Sequence, residues 1–63
     1  MNITYDQEAD ALYIELRKGT FDHNKKVDEH TILDLDKEDN VLGIEVLWVS
    51  ERMPDLPKQI PIT

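Results

Sequence analysis

No cysteine occurs among the 63 residues, and glycine occurs only at Gly19 and Gly43. The first absence excludes a disulfide, a thiolate zinc site and a cysteine nucleophile. The second leaves no glycine-rich loop to cradle a phosphate. Ser50 is the one serine and lies in no Gly-x-Ser-x-Gly elbow, so covalent catalysis has little to work with. Basic side chains are scarce too: 7 Lys and Arg stand against 14 Asp and Glu, a formal charge of −7. That sign repels phosphate backbones and anionic lipid and attracts cations or basic proteins, so nucleic acid is not expected as a direct partner. No apolar run approaches the roughly 18 residues of a membrane span. The opening Met-Asn-Ile-Thr-Tyr-Asp lacks the basic stretch and apolar core of a secretory signal, and a cytoplasmic protein without membrane contact is expected.

A chain this short hides only about 60% of the surface its unfolded form exposes. Small domains close that deficit with disulfides, a structural metal or association, and here association is the route left open. A homodimer is therefore expected.

What the sequence does contain is strand pattern. Thr31 to Val49 holds two apolar, β-branched runs around a charged turn ending in Asp39-Asn40, the signature of a β-hairpin. Asp39 or Asn40 should take the left-handed backbone conformation there. Upstream, Ile3 and Tyr5 alternate with polar residues, and Leu12, Ile14 and Leu16 alternate with Tyr13, Glu15 and Arg17. Between these runs Asp6 is placed to cap the N–H groups of Glu8 or Ala9, which predicts a short helical turn near Ala9. Lys18 to Lys26 reads as a polar loop in which Phe21 is the one large apolar residue, and the chain becomes extended again from Val27. The expected fold is mainly β: a small antiparallel meander of three to four strands with one short helical turn. Residues 1–50 form the domain, and 51–63, with Pro54, Pro57 and Pro61, form an extended tail.

The strand after the turn is apolar on both sides. Leu42, Ile44, Val46 and Trp48 share one face, while Val41, Leu47 and Val49 make much of the other. That is the pattern of a central strand covered twice. One cover is in short supply in so small a chain, so Val41, Leu47, Trp48 and Val49 are expected at an interface. Trp48 serves equally as core or as a binding anchor.

Taken together, Tyr5-Asp6-Gln7-Glu8-Ala9-Asp10-Ala11-Leu12-Tyr13-Ile14 and Ile32-Leu33-Asp34-Leu35-Asp36 through Gly43-Ile44-Glu45-Val46-Leu47 resemble the prokaryotic domain-of-unknown-function family 2283. The blocks, YDxEADALYI and DLDxxxxxxGIExL, occur in the family's order and spacing across residues 2 to 50. The resemblance implies a small, mostly β domain and supplies no catalytic residues. The family often has Gly in the hairpin turn, where this chain has Asp39. Some members lie in small toxin–antitoxin operons, which would make this acidic chain a neutraliser of a basic toxin.

Among candidate sites, Asp34, Asp36, Glu38 and Glu45 fall at positions 1, 3, 5 and 12 of an EF-hand loop. Asp39 stands where that loop needs Gly, and the flanks are strands rather than helices. Weak Ca²⁺ or Mg²⁺ binding by Asp34, Asp36 and Glu45 competes with a bland reading, a solvated hairpin face that discourages aggregation. His23 and His30 lie near carboxylates but in no recognised motif, and read as surface histidines. Asp10 between Ala9 and Ala11 reads as a linker cap, and Gly43 as a bulge or close backbone approach. No catalytic residue and no cofactor is assigned. The expected function is a non-enzymatic association module with itself or a basic protein, the alternative a cation- or small-ligand-binding domain.

Overall fold

The computed structural model describes residues 1–52. Five strands form one antiparallel sheet: β1 (Asn2–Asp6), β2 (Ala11–Glu15), β3 (His23–Asp28), β4 (Thr31–Leu35) and β5 (Val41–Leu47), followed by a single helical turn, α1 (Val49–Arg52). The spatial order is β1-β2-β5-β4-β3, so the strand that is apolar on both sides is the central one. The tail from Met53 onward, expected to be extended, lies outside the described residues. None of the described helices is long and apolar enough to cross a membrane.

The chain is mainly β, as its alternation predicts, with one strand more than expected. β3 begins inside the stretch read as a polar loop and runs into the part from Val27 expected to be extended. Its sequence, His-Asn-Lys-Lys-Val-Asp, carries no alternation because most of its side chains face solvent, and it is held through the backbone ladder to β4. The turn near Ala9 also differs. Asp6 Oδ1 does accept the N–H groups of Glu8 and Ala9, at 3.0 and 3.2 Å, but residues 7–10 form a turn without helix, and the helical turn lies at α1.

The hairpin between β4 and β5 forms where expected. Asp39 takes the left-handed conformation, with φ of 64°. Asp36 holds the turn: its Oδ1 accepts the N–H groups of Glu38 and Asn40, each at 2.9 Å, and its Oδ2 accepts the Asn40 side-chain amide at 3.1 Å.

Leu12 pairs with Tyr5 and with Val46, and Ile14 with Ile3 and Ile44, which aligns one aliphatic face across β1, β2 and β5. Tyr5, Leu12 and Val49 form its buried centre, flanked by Ile14 and Val46. The strict alternation read along β5 does not survive. Asp34 pairs with Gly43 but Leu35 with Val41, so Leu42 is an extra residue in a β-bulge. Beyond the bulge Val41 lines the same side as Leu33 and Leu35, whereas Leu42 lines the opposite side with Tyr13 and Asp34. The Leu42 carbonyl also accepts the N–H groups of Leu16 and Arg17, which anchors the connection leading to β3.

At the other end of β5 the chain turns sharply. Trp48 is left-handed, with φ of 55°, an outlier for so bulky a residue. The turn takes Trp48 out of line with Ile44 and Val46 and drops Val49 into the core, where it is fully buried.

Candidate functional site

The acidic residues singled out by their spacing are not brought together. Asp36 is committed to the hairpin turn. Asp34 lies on the sheet and accepts the Asn24 side-chain amide at 2.6 Å. It also lies near enough to Tyr13 to help raise the phenol's pKa. Glu45 sits opposite Tyr13 in the β2–β5 ladder. Among the described residues no group of three or more His, Cys, Asp or Glu side chains is arranged to hold a metal ion. The physical reason is the hairpin: an EF-hand loop coils its ligands around one centre, whereas two straight strands hold theirs apart.

Gly43 accounts for the position of Tyr13. A Cβ on Gly43 would collide with the Tyr13 hydroxyl and sit 2.6 Å from its Cζ, so the bare backbone is what lets the phenol lie across β5 toward Asp34. Burial raises the Tyr13 pKa, and the Asp34 charge adds to it. Tyr13, Glu15, Arg17, Phe21, Asp34 and Leu42 help line an open hollow of about 300 Å³ on this side of the sheet. Its tyrosine is held neutral and its Asp34 accepts the Asn24 amide, so the hollow presents polar groups suited to recognition.

A second cluster links distant parts of the chain. Asp10, left-handed at φ 52°, accepts the Tyr5 hydroxyl at 2.6 Å, the Ser50 hydroxyl at 2.7 Å and the Ser50 N–H at 3.1 Å. Its own carbonyl accepts the Val49 N–H at 3.2 Å. The Tyr5 hydrogen bond, followed by that of Ser50, holds the Asp10 carboxyl below its usual range, and the same bond to Asp10 raises the Tyr5 phenol. The trio clasps the first strand, the β1–β2 turn and the helical turn after β5 together, and a carboxylate with a lowered pKa is a weak base. Asp10, read from the sequence as a cap of its own linker, does not cap it: Asp6 takes that role, and Asp10 turns instead to Tyr5, five residues back, and to Ser50, 40 residues on.

His23 bridges two loops. Nδ1 lies 2.7 Å from Asp22 and Nε2 3.0 Å from Asp39, and the Asp22 hydrogen bond is the main cause of a raised pKa. His30 packs on Trp48 with ring centroids 4.6 Å apart and planes tilted by 59°. Its Nδ1 is buried without a hydrogen-bond partner.

Of the residues expected at an interface, Val41 and Leu47 are half-buried, Trp48 is 51% exposed, and Val49 is sealed by its own chain. The left-handed turn at Trp48 explains that division: it sends the valine inward and the indole outward. Trp48 is thus a large aromatic surface on a rigid strand end, the feature that most resembles a recognition site.

No curated protein and no solved structure matches the chain. A family model described as "Protein of unknown function (DUF2283)" matches residues 2–50, which takes in all five strands. The chain belongs to that family.

Proposed function

We propose that this chain is a non-enzymatic protein-association module that forms a homodimer and engages a basic partner, in the manner of an antitoxin-like neutraliser. The observation that carries the reading is Trp48. A bulky residue in the left-handed region costs about 1–2 kcal/mol, and here the result is an indole braced on His30 and still half exposed. Were Trp48 a core residue alone, its ring would be buried. An exposed tryptophan on a chain of charge −7 suits a lysine- or arginine-rich partner, because the ring face attracts cations and the surrounding charge steers them in.

Trp48 is the only tryptophan, which makes the test direct. The protein is titrated with an arginine-rich peptide while its intrinsic fluorescence is followed. The expected result is a saturable change in emission that weakens with salt, and a loss of at least about tenfold in affinity for Trp48→Ala measured by calorimetry. Emission unchanged up to millimolar peptide would defeat the basic-partner reading.

A further inference from the structure

The two outer strands of the sheet are protected very differently. β3 carries Lys25 and Lys26 side by side, and its pairing with β4 slips between Lys26 and Asp28, so a bulge falls at Val27. Charge and a bulge are the devices by which natural sheets keep an edge from pairing with another chain. β1, Asn-Ile-Thr-Tyr-Asp, has no bulge, and its one charge is Asp6 at the very end of the strand. It holds no lysine and no proline, its register with β2 is unbroken over five residues, and among the described residues no strand lies on its outer side. Ile3 is 39% exposed there.

We infer that β1 pairs antiparallel with β1 of a second copy of this chain, joining two five-stranded sheets into one of ten strands. The proposal rests on the self-association part of the function given above and assigns its surface. The register follows from the faces. A two-fold axis perpendicular to the sheet keeps the aliphatic face continuous only if it passes through a residue, since a slip of one position would set Ile3 against a polar side. An axis through Thr4 pairs all five residues of the strand. Thr4 then meets the partner's Thr4, Ile3 meets the partner's Tyr5, and Asn2 meets the partner's Asp6. These are β-branched with β-branched, aliphatic with aromatic, and amide with carboxylate, each a favourable cross-strand pair. An axis through Tyr5 or Ile3 would leave part of the strand outside the pairing. The same operation on β3 about Lys25 or Lys26 would set like charges opposite each other, which is unfavourable.

A cysteine-free chain allows an unambiguous test. Opposed residues in an antiparallel pair have Cα atoms about 4.5–5.5 Å apart, inside the span of a disulfide. Thr4→Cys, oxidised with glutathione disulfide as the electron acceptor, should migrate as a covalent dimer on a denaturing gel, while Lys26→Cys on β3 stays monomeric. Thr4→Lys sets two ammonium groups against each other and should sediment as a monomer with an unchanged circular dichroism spectrum. If the unmodified protein is itself a monomer at millimolar concentration, self-association fails and the edge pairing with it. If it is a dimer that Thr4→Lys leaves intact, or if Lys26→Cys is the variant that cross-links, only the choice of β1 is overturned.

Discussion

The Tyr5 hydroxyl and Asp10 Oδ1 lie 2.6 Å apart, and through this contact the first strand, the β1–β2 turn and the helical turn after β5 are held as one unit. Tyr5 is nearly fully buried, Asp10 is half-buried, and Ser50 completes the carboxylate's partners from the other end of the domain. One left-handed aspartate therefore closes the fold around Val49.

That clasp makes stability fall on the acid side. The Asp10 pKa is lowered from 3.8 by Tyr5 and then Ser50, and that of Asp36 by the backbone and side chain of Asn40. Both groups bind a proton more readily in the unfolded chain, so their stabilisation is complete above the unfolded value and is lost as pH falls through the folded one. Asp10→Asn keeps the shape and the tolerance of positive φ but removes the charge. Its urea midpoint should be lower than wild type at neutral pH, and the gap should close as the pH drops below the usual aspartate range.

Gly43 is expected to tolerate no side chain while Tyr13 lies across it. Gly43→Ala should destabilise by about 1–3 kcal/mol, the usual cost of overpacking a closed site. In a Tyr13→Ala background the same substitution should cost less, because the phenol it collides with is gone and only the tight 3.0 Å approach to the Ile14 carbonyl oxygen is left. A double-mutant cycle by urea denaturation reads the coupling, and equal costs in both backgrounds would show that Tyr13 is not the obstacle.

His23 gives an opposite pH dependence around neutrality. Its pKa is raised chiefly by the hydrogen bond to Asp22, with Asp39 adding to it. The folded protein thus holds this proton more tightly than the unfolded chain. The stabilisation is fully present below the usual histidine value of about 6.5 and is lost as pH rises through the folded value. An NMR titration should show His23 titrating above the usual histidine value, and His23→Gln should flatten the urea midpoint between mildly acidic and mildly basic pH.

The regularities that depend on near neighbours were legible in the sequence. Two apolar runs around a charged turn gave the β4–β5 hairpin, Asp39 took the left-handed position that Asn and Asp tolerate, and Asp6 capped the N–H groups two and three residues on. The central place of β5 followed from its apolar residues on both sides. The acidic spacing from Asp34 to Glu45 misled, because spacing encodes a coil of ligands only when the chain between them is a loop.

What the amino-acid order determined by itself was alternation, turn and cap, along with a charge of −7 and the absence of thiol chemistry, all properties read within a few residues or summed over the chain. The tertiary structure alone decided that a polar stretch becomes β3, that Leu42 bulges and exchanges faces with Val41, and that Trp48 turns outward as Val49 turns in. Each of these is settled by a partner outside the segment itself: the neighbouring β4 ladder for β3, Gly43 against Asp34 for the bulge, and, 40 residues away, the Asp10 clasp for the end of β5. Backbone hydrogen bonds carry no side-chain signature, so a strand or bulge made by them becomes visible only once its neighbour is in place.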